Sequence, residues 1–350
     1  MKHKLGKIEG VARRRLVSQA PSRLLPPYKG EGFWKGVRGW SEIGWNLLIR
    51  NSIYNSKQFF EDLLPDVPFQ DLKTPVAAVF MTSSQQAVLA ISDNEENPMF
   101  NVPQEAPEIP IRYEGKAADV ARASSSLPFI MSRVPMTVGG IKTYSTDGGY
   151  WRGLPCQFLE HPYRLALSTR PAPEEELKQL KPDWTGWWGI GVPYQVYTSF
   201  VTMLSGVTAK DISGFMIRGD GNEETYEFCH ALECGNFRKE NEINISWLNV
   251  GGHTPKIVGA LFDYGATEAE KFWNSELIKK YHKDIKKEGL AVCMTGGGGD
   301  GYAQCGFLAR LRDLIGRPYV ATAGLSAGSI NAIFFSWLEE HIKELNEVEY

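Results

Sequence analysis

Long apolar runs are missing from this sequence. No stretch approaches the roughly 20 residues that a bilayer span requires. The start, Met1-Lys2-His3-Lys4, is basic but lacks the apolar segment of a secretory leader. The five cysteines (Cys156, Cys229, Cys234, Cys293 and Cys305) are odd in number and scattered, so they read as cytosolic thiols and not as a disulfide framework. A cytoplasmic location is therefore expected, with peripheral membrane contact as an addition. Cys229, His230 and Cys234 have no second Cys/His pair to close a metal site, so no metal and no cofactor is expected. Charge of one sign is not in excess either. With 38 Lys+Arg against 41 Asp+Glu, the formal net charge is -3, which gives no support to nucleic-acid binding.

What is present is ordinary globular material: 350 residues, 43% hydrophobic and 23% charged, enough for one large domain or two modest ones. Residues 1–37 stand apart. They carry Arg13-Arg14-Arg15 and then Pro21, Pro26 and Pro27, with seven Lys/Arg against one Glu up to residue 23. They read as a solvated arm, or alternatively as a basic foot on an anionic membrane, where each charge adds ~1 kcal/mol. Residues 38–350 read as one domain. Helical patterning covers 39–64, 174–180, 195–204, 223–232 and the charged stretch 268–287; strands are expected at 76–81, 86–91 and 163–168.

The end of the chain has the sharpest pattern. A buried-type strand at 290–294 leads into a glycine cluster and a helix from about 302 to 314. A strand at 319–323 leads into Gly324-Leu325-Ser326-Ala327-Gly328 and another helix. Strand-turn-helix twice over is the signature of a parallel α/β sheet. A serine at a sharp strand-to-helix turn exposes its hydroxyl as a nucleophile, and Gly324 and Gly328 relieve crowding there. An ordinary turn with a serine helix cap is the plainer alternative.

The cluster Gly296-Gly297-Gly298-Gly299-Asp300-Gly301 sits between strand and helix, where bare N–H groups cradle negative charge. A dinucleotide loop has the same glycine spacing. It requires an acidic residue ~20 residues on, where this chain has Tyr319-Val320-Ala321. No Gly-Lys-Ser/Thr follows for a P-loop. None of the six histidines has a distinctive setting as a base. Asp147, in Thr146-Asp147-Gly148-Gly149, sits on a tight loop with its carboxylate available, although an Asp-Gly hairpin turn would look the same. Asp183-Trp184-Thr185-Gly186-Trp187-Trp188-Gly189-Ile190-Gly191 reads equally as an interfacial lip or a core-packing loop.

Together the three motifs resemble the patatin-like phospholipase family. That family has a G-G-G-x-[R/K]-G oxyanion loop, a G-x-S-x-G nucleophile and a D-G-[G/A] base loop. Ala123-Ser124-Ser125-Ser126-Leu127-Pro128 and Pro68-Phe69-Gln70-Asp71-Leu72 resemble further segments of it. The resemblance implies a three-layer α/β fold with a mainly parallel central sheet flanked by helices. It implies a histidine-free dyad of Ser326 and Asp147, oxyanion donors from Gly297, Gly298 and Gly299 with Ala327, and a lipid or phospholipid ester as substrate. Two features depart from the family. The base loop (within 38–288) precedes the oxyanion loop and nucleophile (289–350), as in a circular permutation or in domains that complete each other by swapping. Asp300 stands where the family has Arg or Lys. It is expected to turn away from the oxyanion and to cap the following helix. A catalytically silent lipid- or partner-binding relative and a Rossmann-type nucleotide binder remain the alternatives; oligomeric state is not indicated.

Overall fold

The computed structural model describes residues 7–18, 52–54, 56–64, 66–92, 99–102, 104, 106, 108–127, 129–150, 154–169, 225–243 and 253–347. The tryptophan-rich run 183–191, the helical stretches 174–180 and 195–204, and the first part of 39–64 lie outside them.

The chain builds an α/β structure around a mostly parallel, mixed central sheet flanked by helices. Helix α1 (Lys7–Ser18) comes first, then β1 (Ser52–Tyr54) and α2 (Ser56–Leu63). Strands β2 (Val76–Thr82), β3 (Ala87–Ile91) and β4 (Ile109–Arg112) follow, then α3 (Ala117–Ser124) and β5 (Phe129–Met131). The hairpin β6 (Pro135–Val138) and β7 (Ile141–Asp147) leads to β8 (Tyr163–Thr169), β9 (Tyr226–Leu232) and α4 (Cys234–Glu240). Helices α5 (Pro255–Trp273), α6 (Glu276–Lys279) and α7 (His282–Glu288) precede β10 (Ala291–Met294), α8 (Gly301–Ile315), β11 (Ala321–Leu325) and α9 (Ala327–Glu347).

The strand order is β4-β3-β2-β11-β10-β8-β9, with β7 also pairing β2. Pairing is parallel from β2 through β11, β10 and β8 to β9, and antiparallel where β3 and β7 meet β2. Strands β3, β10 and β11 are buried at every position, as expected of strands covered on both faces. Alternate residues serve two cores. Val76, Ala78, Phe80, Val292 and Met294 pack with the helices, whereas Ala77, Val79, Cys293, Ala323 and Leu325 pack with Leu154, Cys156 and Phe158.

Three expectations are corrected. Residues 226–232 form a parallel strand and not a helix. Tyr226, Phe228 and Leu232 recur at period two, and pairing with β8 overrides the local helical tendency: Tyr226 stacks on Tyr163 at 5.3 Å and Glu227 pairs with Arg164. The stretch 268–287 is not one helix. Helix α5 starts at Pro255 behind a Thr254 cap and stops at Asn274; Ser275, whose hydroxyl accepts the Ile278 N–H at 3.4 Å, starts α6. Finally, residues 7–18 are no solvated arm. Ile8, Val11, Ala12 and Leu16 recur along one helix face and are buried.

Candidate active site

Strand β2 is the shared neighbour that assembles the site. Strand β11 runs parallel to it and ends with Leu325 opposite Val79. Strand β7 runs antiparallel on the same strand and ends with Asp147 opposite Phe80. The two strands therefore converge end to end, bringing Asp147 to Ser326 within a single chain. No exchange between copies is needed.

Ser326 sits in the left-handed region at φ +50°, a strained position for a residue with a β-carbon. The turn is tight enough to require its glycines. A β-carbon on Gly324 would stand 2.3 Å from the Gly328 carbonyl group, and one on Gly328 would stand 2.6 Å from the Thr295 oxygen. The triple-serine segment supports both Ser326 and Asp147. Ser124 Oγ accepts the Ser326 N–H at 2.9 Å and donates to the Val79 carbonyl at 2.6 Å. The Ser126 carbonyl accepts the Asp147 N–H at 3.1 Å.

Asp147 is 1% exposed. Its Oδ1 accepts the Gly149 N–H at 2.7 Å. Gly148 lies so close to β2 that a β-carbon there would meet the Val79 oxygen at 2.3 Å. Burial raises the Asp147 pKa to about 6, against the opposing pull of the Gly149 N–H and the Ser326 hydroxyl. The serine contact is looser than a full hydrogen bond, since among the described residues buried Oδ2 has no partner in hydrogen-bonding geometry.

The glycine loop runs beside this pair because β10 neighbours β11. A β-carbon on Gly296 would lie 3.1 Å from Ser326 Cβ, and one on Gly301 would lie 2.8 Å from Ala327 Cβ. Gly298 and Ala327 line a cavity together with Ser326, while Gly297 packs on Thr169 and Gly299 on His253. Thr169 Oγ1 donates to the Gly296 carbonyl at 3.0 Å, Gln304 Nε2 to the Thr295 carbonyl at 3.0 Å, and Asn331 Nδ2 to the Gly301 carbonyl at 2.9 Å. These three residues, with the fully buried His253, carry no local signal in the sequence, whereas Ser124 lies in the triple-serine segment already singled out there. His253 Nε2 would stand 2.2 Å from a β-carbon on Gly299, so the ring and the loop fit only because that residue is glycine.

Asp300 does not cap α8, as its side chain makes no capping hydrogen bond. Its carboxylate pairs with Arg238 of α4, both side chains being nearly inaccessible to water. A buried carboxylate beside the glycine loop is thus neutralised by a cation from an element distant in the chain, which no local pattern could locate. Among the described residues, no three His, Cys, Asp or Glu side chains gather as a metal site would require. Cys229 and His230 point to opposite sides of β9, and the His230 ring lies 5.0 Å from that of Phe307. Among the described residues, no helix is long and apolar enough to cross a membrane.

The cavity over Ser326 measures ≈ 60 Å³, well below the ~300–1,000 Å³ of small-molecule sites, so it is a narrow recess beside the serine. No protein-family model matches this chain, and neither a curated protein nor a solved structure matches it.

Proposed function

We propose that this chain is a patatin-like lipid acyl hydrolase working through a Ser326–Asp147 dyad, with the family's motif order permuted. The observation that carries this reading is the buried Asp147 carboxylate, with a pKa of about 6, meeting the hydroxyl of a serine held at φ +50° beside a glycine loop. A carboxylate of that pKa is ionised at neutral pH, yet far more basic than an ordinary aspartate, which suits general-base work.

In this reading Asp147 takes the Ser326 proton as Oγ attacks the ester carbonyl. The carbonyl electron pair moves to oxygen, where backbone N–H groups of Gly297, Gly298, Gly299 and Ala327 are available to receive it. The tetrahedral intermediate collapses, the C–O bond to the alcohol breaks, and protonated Asp147 returns the proton to the leaving alkoxide. Water, deprotonated by Asp147, then attacks the acyl carbonyl; its bond to Ser326 Oγ breaks, Asp147 returns the proton to Oγ, and the fatty acid is released. The Arg238 partner supports the loop's competence: Asp300 replaces the family's cation without leaving a net negative charge beside the oxyanion.

A fluorophosphonate probe tests the proposal. Covalent labelling of the wild type that is lost in Ser326→Ala is expected. Failure of the folded wild type to label, with no hydrolysis of any lipid ester, would leave the silent lipid-binding reading in its place.

A further inference from the structure

Helix α1 forms part of the cavity that contains Ser326. Leu16, from its last turn, joins Phe60 and Leu63 of α2, Leu127, Met131 and Ile330 in lining it. All six are apolar, so the recess of ≈ 60 Å³ beside Ser326 suits an apolar group, and its walls limit how much of a chain can enter. Leu16 is separated from the rest of this lining by more than 40 residues of sequence, yet its place is set by contacts along the whole helix. The Ile8 and Glu9 N–H groups donate to the Asp313 carboxylate at 3.3 and 3.1 Å, capping the helix from α8. Arg13 forks onto Asp263 of α5 at 2.6 and 2.8 Å. Arg15 lies over the Trp337 ring at 4.4 Å and donates to the Leu63 carbonyl at 3.2 Å, tying α1 to α2 where both meet the cavity. These contacts fix the rotation of α1 about its axis and turn Leu16 toward the cavity.

We infer that Leu16 is a specificity-determining wall of the acyl pocket and sets the length of chain the site accepts. The inference rests on the hydrolase reading for its substrate, but the pocket can also be tested without catalysis. Each methylene admitted or excluded from an apolar pocket changes the rate by about tenfold or more. Leu16→Phe should therefore lower the ratio of kcat/KM for para-nitrophenyl dodecanoate over butyrate by at least about tenfold. Leu16→Ala should raise the hexadecanoate-to-dodecanoate ratio. Each ratio is internal to one preparation, so partial unfolding lowers both rates alike and cancels. Ile8→Ala, which loosens the same helix away from the cavity, should leave the ratios at the wild-type value. In parallel, displacement of a fluorescent fatty acid by dodecanoate is measured in Ser326→Ala with and without Leu16→Phe, where weaker displacement is expected. Ratios that do not move in either Leu16 variant, or that move equally in Ile8→Ala, overturn the inference. If the wild type hydrolyses no ester, the binding series decides: Leu16-dependent displacement keeps the pocket while the hydrolase reading falls, and its absence overturns the inference as well.

Discussion

Asp147 is poised because it is buried, and burial has a thermodynamic consequence. Its folded-state pKa of about 6 lies above the ordinary value of 3.8. Below pH ~4 the carboxyl is protonated in both folded and unfolded chains and costs nothing. Between those two values the folded state binds more protons, so stability falls as pH rises, and above pH ~6 the loss is complete, at about 3 kcal/mol. Asp147→Asn keeps an oxygen for the Gly149 N–H and removes the charge. It should stabilise the protein at pH 8 by up to about 3 kcal/mol relative to wild type, and not at pH 3.5, as read by urea denaturation. Ester-hydrolysis kcat/KM in the wild type should rise with pH to a plateau above about 6, as the base ionises. A flat profile across pH 5 to 7 would exclude Asp147 as the base. Ser124 is the second residue-scale case. Ser124→Ala leaves the Ser326 N–H and the Val79 carbonyl unpaired in the interior, costing about 1–3 kcal/mol. As a positioning residue it should lower kcat more than it changes KM when kcat is expressed per folded enzyme, a normalisation that removes the effect of lost stability. The serine motif and the Asp-Gly-Gly loop were legible in sequence because their chemistry is local; the role of Ser124 was not, since it exists only against β11.

At the scale of elements, α4 and the loop before α8 are joined by Arg238 and Asp300. Removing one member of a buried pair strands the other charge, which costs about 3–5 kcal/mol. Arg238→Ala should therefore destabilise strongly in urea by stranding the Asp300 carboxylate; Asp300→Asn strands the guanidinium but keeps an oxygen to accept from it, and should destabilise less. The double variant Arg238→Met with Asp300→Leu should recover most of the loss. A double variant that loses as much as the two single variants summed would show that the pair carries no coupling. The strand β9 illustrates why some elements were misread. Glu223, Glu224, Glu227 and Ala231 favour a helix locally, but the exposed edge of β8 offered a full row of parallel pairing. Helix α1 was misread for a related reason. Its arginines suggest solvent or membrane, yet Arg13 and Arg15 are spent on Asp263, Leu63 and Trp337.

Over the whole molecule, β2, β11 and β10 form the centre of the sheet, flanked by strands on both sides and buried on both faces. Their amides should exchange with deuterium only through global opening, the slowest in the protein. The β6–β7 hairpin, with Ile141 71% exposed near its Gly139-Gly140 turn, should exchange far faster along its outer half. Fast exchange in β11 would contradict this arrangement. Such a contrast places Ser326 at the end of the most rigid element and Asp147 at the end of a more mobile one, held in register by β2.

The sequence by itself determined the two βα units at the end of the chain, the glycine loop and the strained serine turn, because strand burial, turn glycines and helix starts act over a few residues. Only the tertiary structure decided that Asp147, 179 positions before Ser326 in the chain, meets it. That meeting depends on β7 and β11 ending at adjacent residues of β2, a register set by long-range pairing and burial of alternate side chains. The raised pKa of Asp147, the neutralising Arg238 and the Leu16 wall follow from the same packing. Each is a property of what folding brings close and of the water it excludes.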